Sequence, residues 1–367
     1  MTDKGDFPAH IRFAEDMVRS GTIVIPHFGY QLAVIGAHTL HPSAGWPVAA
    51  FWVTLAGQVA TAAILTRWMV SAVSDRHPGV RLLVAALVPV ALLVAQPLQP
   101  IGPGLRDQWL FGYFPPNQYH NPTTLLSKPF ALAIFSFAAL AVSGVAPAAG
   151  RPMRGGLGWT VLVTMAGLVK PSFLMAFLPA VFAAALVEWR RARWAAIVAA
   201  MVVPTVLLLV AQYGLRYVVQ ADNGVSVALA PLRVIGLYSA VDAETLVTKC
   251  LASIAFPLAV TLLFPVAAAR DLRLKLAWMT FVVGALYGYL LSEAGADEAA
   301  GNFLWSGQLA NFLLFAVSAE FLLRQRTSVP DTAHFAVSAT ARTAACFAIL
   351  AWHAVSGVQH LQRSWLA

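Results

Sequence analysis

LGWTVLVTMAGLVKPSFLMAFLPAVFAAALVE, residues 157–188, is the stretch on which the reading of this chain turns. It is apolar along most of its length and exceeds the roughly 20 residues that carry a straight helix across a bilayer. Lys170-Pro171-Ser172 falls near its middle. Proline deletes a backbone donor and crowds the preceding turn, and a lysine held at mid-bilayer is costly. The segment is therefore either one long kinked helix or two short helices, 157–169 and 171–188, that form a hairpin with Lys170 at its tip. The hairpin is the expectation, because a one-helix reading scrambles the charge asymmetry of the loops.

Around this hairpin the whole chain is apolar. Of its 367 residues 59% are hydrophobic and only 11% charged, with mean hydropathy +0.72. Soluble domains carry roughly 25% charged residues, so this composition excludes an ordinary soluble protein. Further apolar runs occur at 46–66, 82–101, 125–147, 195–213, 250–268, 277–292, 304–323 and 343–358. With the hairpin they make an all-α, polytopic integral membrane protein of about ten membrane helices, a single transmembrane domain over 1–367. Cys250 and Cys346 lie in apolar runs, with neither a disulfide framework nor metal-ligand spacing.

The net charge of +8 follows the positive-inside bias rather than a basic nucleic-acid stripe. Loops 67–81, 148–156, 189–194, 269–276 and 324–342 hold most of the 24 Lys and Arg. Segments 1–45, 102–124, 214–249 and 293–303 hold most of the 16 Asp and Glu. The first set is expected in the cytoplasm and the second outside. Within 1–45, DFPAHIRFAEDMVRS (6–20) gathers Ile11, Phe13, Ala14 and Met17 on one helical face and ends at Gly21. That pattern predicts an amphipathic helix at the interface. Residues 27–40 are too short to span and belong there too. An outward start without a preceding membrane helix implies one upstream of this reading frame.

The polar groups gather in the outward segments. Asp6 and His10 are four apart and share a helical face. Asp6 either caps the helix that Pro8 begins or is a general base that takes a proton from a sugar hydroxyl. YFPPNQYHNPTTLLSKPF (113–130) concentrates His120, Asn121, Thr123, Thr124 and Lys128. Asn121 or Thr123 would open the next helix, and a lysine one turn into it points to an anion. Lys170 repeats that logic, so His120, Asn121, Lys128 and Lys170 are candidate phosphate ligands, with Arg216 or Arg233 in reserve. SEAGADEAAGNFLWSG (292–307) places Glu293 and Asn302 beside Trp305. This is a solvated acidic turn or a sugar-binding rim with an aromatic platform.

Taken in order, GDFPAHIRFAEDMVRSG, PHFGYQL, PNQYHNPTTLLSKPFAL, LVKPSFLMAFLPA and SEAGADEAAGNFLWSG resemble bacterial multi-spanning proteins related to the GT-C glycosyltransferases. HNPT (120–123), KPSF (170–173) and GNFLW (301–305) carry the likeness. The resemblance implies a GT-C-like fold and transfer from a polyprenyl-phosphate sugar donor to a glycan or lipid acceptor of the cell envelope. The site would face the periplasm from the bacterial cytoplasmic membrane, among membrane lipid. It also implies an aspartate of the first outer loop as base, here Asp6 with Asp3 as the alternative. No cofactor is assigned; a divalent metal stays open, although the chain has no DxD pair to hold one. The rival classes are a transporter or flippase, and a polysaccharide polymerase or ligase for lipid-linked glycans.

Overall fold

The computed structural model describes residues 4–99, 112–145, 156–219, 226–295, 297–325 and 338–366. Asp3 lies outside the described residues, as does part of each loop 102–124, 148–156, 214–249 and 324–342. Two short helices come first, α1 (Phe7–Ser20) and α2 (Gly29–Leu40). Ten apolar ones follow, one on each expected apolar run. They are α3 (Gly45–Ala72), α4 (Pro78–Val94), α5 (Pro122–Val142), α6 (Gly156–Val169), α7 (Ser172–Val187), α8 (Trp194–Arg216), α9 (Ala243–Leu263), α10 (Leu272–Leu290), α11 (Leu304–Arg324) and α12 (Ala339–Leu361).

The protein is a multi-pass membrane protein of almost entirely helical structure. Among the described residues six helical segments, containing α3, α5, α8, α9, α11 and α12, are long and apolar enough to cross a bilayer. α4, α6 and α7 are shorter apolar helices. The 14 residues of α6 rise only about 21 Å, less than the ~30 Å hydrocarbon core. The only strands described are β1 (Ser226–Leu229) and β2 (Leu291–Ala294), antiparallel with Ser226 opposite Ala294.

The chain reverses at Lys170. Trp159, early in α6, stacks on Phe137 of α5 with ring centroids 4.2 Å apart. Arg191, just after α7, meets Gly144 at that same end of α5. Lys170 reaches Thr123 at the opposite end of α5. Both short helices therefore flank α5, and the break places the lysine at the tip.

The ends of the bundle differ in chemistry. One gathers α1, α2, the 112–121 loop, Lys170 and the 291–303 segment. At the other, Arg273 bonds Glu320 at 2.7 Å, and Arg324 lies 3.0 Å from Asp271 and 4.0 Å from Glu320. The Arg273 guanidinium also covers Trp68 at 4.8 Å and Phe135 at 5.2 Å, tying α10 to α3 and α5.

Pro257 breaks the hydrogen-bond ladder of α9, and groups from other segments repair it. The Ser253 carbonyl accepts from Asn311 Nδ2 at 3.0 Å, and the Ala252 carbonyl accepts from the Leu98 N–H at 2.9 Å. The Phe256 N–H donates to His353 Nε2 at 3.3 Å, so the ring proton sits on Nδ1 and donates to the Gln96 carbonyl at 2.6 Å. A helix in hydrocarbon tolerates proline only with such replacements.

α10 and α11 form the tightest helix pair, because Gly284 and Gly288 are four apart and let the backbones touch. A Cβ at Gly284 would lie 2.7 Å from the Ser306 carbonyl oxygen. One at Gly307 would lie 2.6 Å from the Phe114 ring. Small residues at such a seam replace the hydrophobic force that lipid cannot supply. Gly284→Leu should destabilise the protein by about 1–3 kcal/mol, the usual cost of overpacking. A lowered melting midpoint in detergent would report it, whereas Gly36→Ala, which meets open space, should melt like the parent.

Candidate functional site

Asp6 stands at the N-cap position of α1, and Pro8 opens the helix as its first-turn place requires. Its carboxylate makes no capping bond. The side chain turns instead to Asn121, whose Nδ2 donates to Asp6 Oδ2 at 2.7 Å. The Asp6 N–H also donates to the His120 carbonyl at 2.9 Å. Gly5 makes this approach possible, with φ +64° and a Cβ position only 2.6 Å from His120 Cβ. A side chain there would force the N-terminal segment off the loop.

Asn121 performs two tasks with one amide. Its Oδ1 caps α5, accepting from Thr124 N–H at 2.9 Å and from the Thr123 and Thr124 hydroxyls at 2.7 and 2.9 Å. Lys170 Nζ donates to Thr123 Oγ1 at 3.3 Å. An unbroken chain of hydrogen bonds thus runs from the Lys170 ammonium through Thr123 and Asn121 to the Asp6 carboxylate. The Asp6 charge also lies close enough to act on Lys170.

Lys170 is buried, and its ammonium sits 4.5 Å above the Trp305 ring. Such a cation–π contact is worth up to about 2 kcal/mol where water is excluded. His120 packs against the same indole at 5.6 Å. Trp305 therefore presents a face to the lysine rather than standing as an open platform. Its neighbours Glu293 and Asn302 hydrogen-bond each other beside a small cavity shared with Val234 and Phe303, away from the Asp6 bond. Lys128 is also apart. It is wholly buried, donates to Asn117 Oδ1 and rests 4.4 Å from the Phe312 ring. Asn117 in turn donates to the Leu92 and Ala95 carbonyls at 2.9 and 2.8 Å. Lys128 thereby anchors the loop that carries His120 and Asn121.

α1 does not lie free on a membrane surface. Phe7, Ile11, Ala14 and Met17 are buried, and Ile11 and Ala14 share a core with Tyr30, Val34, Ala49 and Ala50 of α2 and α3. α2 is seated on the hairpin tip, for a Cβ at Gly29 would stand 2.8 Å from the Leu168 carbonyl carbon. Gln212 of α8 adds a staple, donating to the Pro26 and Gly167 carbonyls at 3.2 and 3.0 Å. This packing brings in His27, which sequence reasoning passed over inside PHFGYQL. Its imidazole lies within electrostatic reach of Lys170, His10 and Arg216. Arg216 pairs with Asp297, and Arg233 with Glu298, joining the two strand-bearing segments.

The result is one lysine ammonium and three buried imidazoles gathered around one carboxylate. Burial lowers the His10 imidazole to about 4, with the Lys170 charge adding and the Asp6 charge opposing. Burial likewise lowers His120, opposed by Asp6 and reinforced by Lys170. His27 falls well below its usual value through burial, then Lys170, His10 and Arg216. Among the described residues no group of three or more His, Cys, Asp or Glu is placed to hold a metal ion. No family model, curated protein or solved structure matches this chain.

These histidines make docking of α1 depend on pH. The folded value for His10, about 4, lies below the unfolded 6.5. The unfolded chain therefore takes the proton first on acidification. Stabilisation is complete above 6.5 and drains away as pH falls towards 4. Amide protection factors over 7–20, each taken against intrinsic exchange at the same pH, should fall across that window. His10→Leu, which keeps an apolar ring-sized group without a titrating nitrogen, should flatten the dependence.

Proposed function

We propose that the protein is a GT-C-like glycosyltransferase that moves a sugar from a polyprenyl-phosphate donor to a glycan or lipid acceptor. The observation that carries this reading is the convergence of Asp6 and Lys170 through Asn121 and Thr123. A base and an anion-binding cation on two separate chain segments are what displacement at a phosphate-linked sugar requires. In this reading there are ten membrane helices, with α6 and α7 as a short pair, and the cluster faces the periplasm of a bacterial cytoplasmic membrane. The acidic, loop-rich end then lies outside, and the Arg273–Glu320–Arg324–Asp271 end lies in the cytoplasm.

Asp6, held by Asn121 with one oxygen left for substrate, accepts the proton of the acceptor hydroxyl. The oxygen then attacks the anomeric carbon from the face opposite the phosphate, and configuration inverts. Charge develops on the departing lipid phosphate, where fixed cations in a poorly solvated site act most strongly. Lys170 serves there, with His120 and His27 beside it. Asp3 stays the alternative base, and Glu293 with Asn302 the outlying acceptor rim. A transporter reading gains nothing from the opposite end, which ion pairs and cation–π contacts hold shut. A polymerase or ligase for lipid-linked glycans would use the same charges on a larger acceptor.

Proteoliposomes supplied with a polyprenyl-phosphate sugar test this directly. Asp6→Asn should lower turnover about 10²–10⁴-fold with little change in donor affinity, the scale of general-base loss. Lys170→Met should cost about 10²–10³-fold, on the scale of a lost charge-stabilising donor, and should weaken donor binding. Lys128→Met should lower the melting midpoint rather than donor use. Turnover within a few-fold of the parent in both Asp6→Asn and Lys170→Met would remove this assignment.

A further inference from the structure

Gln31 is fully buried on α2, in a helix whose other inward residues are Tyr30 and Val34. Its amide nitrogen lies 2.7 Å from His10 Nδ1. The same amide's Oε1 is buried with no hydrogen-bond partner among the described residues. A stranded acceptor of this kind is destabilising, so an apolar residue would suit the position better unless the amide has a task. Among the described residues His10 has no other side-chain hydrogen bond; Phe13 and Tyr30 meet its ring edge to face at 5.9 and 5.8 Å.

We propose that Gln31 is a positioning residue for His10, its amide holding Nδ1 through a hydrogen bond that reverses direction when the ring is protonated there. With the amide N–H donating to Nδ1, the ring proton sits on Nε2. If the amide turns over, Oε1 accepts from a protonated Nδ1 instead. Nothing else pins that amide, since its second polar atom has no partner. The imidazole therefore keeps one hydrogen bond whether it is neutral or has just received a proton. That suits a group able to share the proton that Asp6 takes from substrate, and in this consequence the inference rests on the reading of Asp6 and Lys170 above. The charges facing the ring come from every neighbouring segment. Asp6 lies on α1 itself, His27 precedes α2, and Lys170 is at the hairpin tip. Asp6 favours the imidazolium, whereas Lys170 and burial oppose it.

The test is nitrogen-15 NMR of the full chain in nanodiscs with ring-labelled histidine, the His10 signals being those lost in His10→Asn. The parent protein should show Nδ1 hydrogen-bonded in both the neutral ring and the imidazolium. Gln31→Glu places an acceptor-only, ionisable group at Nδ1, and His10 should titrate higher by more than about one pH unit. Gln31→Met keeps the volume and should remove that hydrogen bond. Where Gln31→Glu fails to fold, Gln31→Met carries the comparison. Identical Nδ1 signals and titrations in the parent and in each folded variant would overturn the proposal. No donor or acceptor enters this measurement, so loss of the transferase reading would leave its result standing. In the transfer assay, Gln31→Glu should also shift the acidic limb of the pH–rate profile, which a purely structural role would leave in place.

Discussion

The side chain of Asn121 holds two parts of the molecule to each other. Its oxygen closes the start of α5, and its nitrogen holds the Asp6 carboxylate. A capping residue normally satisfies orphan N–H groups and nothing more, worth about 1 kcal/mol. Here the unused half of the amide reaches a segment more than a hundred residues away. Without it, the N-terminal carboxylate and the hairpin lysine would belong to unrelated surfaces.

Everything near that amide serves to bring chain to it. Gly5 gives up a side chain so that the backbone can lie on His120. Lys128 is buried far from the carboxylate, yet through Asn117 it fastens the same loop to the end of α4. Gly29 lets α2 sit on the hairpin tip, which delivers His27 and Gln31 to the cluster. The far end of the bundle carries the opposite design. There, four charged side chains neutralise one another, and Arg273 covers two aromatic rings. Charge is compensated by ion pairs at that end, whereas near Asn121 a lone ammonium faces a lone carboxylate among buried imidazoles.

Much of this architecture was legible in the residues. Long apolar runs forecast each of the ten apolar helices, and Lys170-Pro171 forecast the reversal, because a buried lysine and a missing amide hydrogen both resist a straight helix. Gly21 stopped α1 as expected, with φ +68°. The site was legible in part. The spacing of Asp6 and His10 and the HNPT run mark two segments that the fold brings together. The partner of Asp6 was not foreseeable, since N-capping and a bond to Asn121 look identical in one dimension. Lys128 was misleading for a related reason: distance from a helix start says nothing about which neighbour lies above the ammonium. Asn117 and Phe312 do. His27 and Gln31 left no signal, for each sits in an ordinary apolar context and gains meaning only from packing.

The account stands on the N-terminal carboxylate and the hairpin ammonium sharing one pocket across the Asn121 amide. Carbon–nitrogen dipolar recoupling by solid-state NMR measures that directly, with label at the Asp6 carboxyl carbon and at the Asn121 and Lys170 side-chain nitrogens, in lipid bilayers. Strong dephasing from Asn121 Nδ2, 2.7 Å from the Asp6 oxygen, and a weaker contribution from Lys170 Nζ are predicted. A carboxyl signal untouched by either nitrogen would contradict the account.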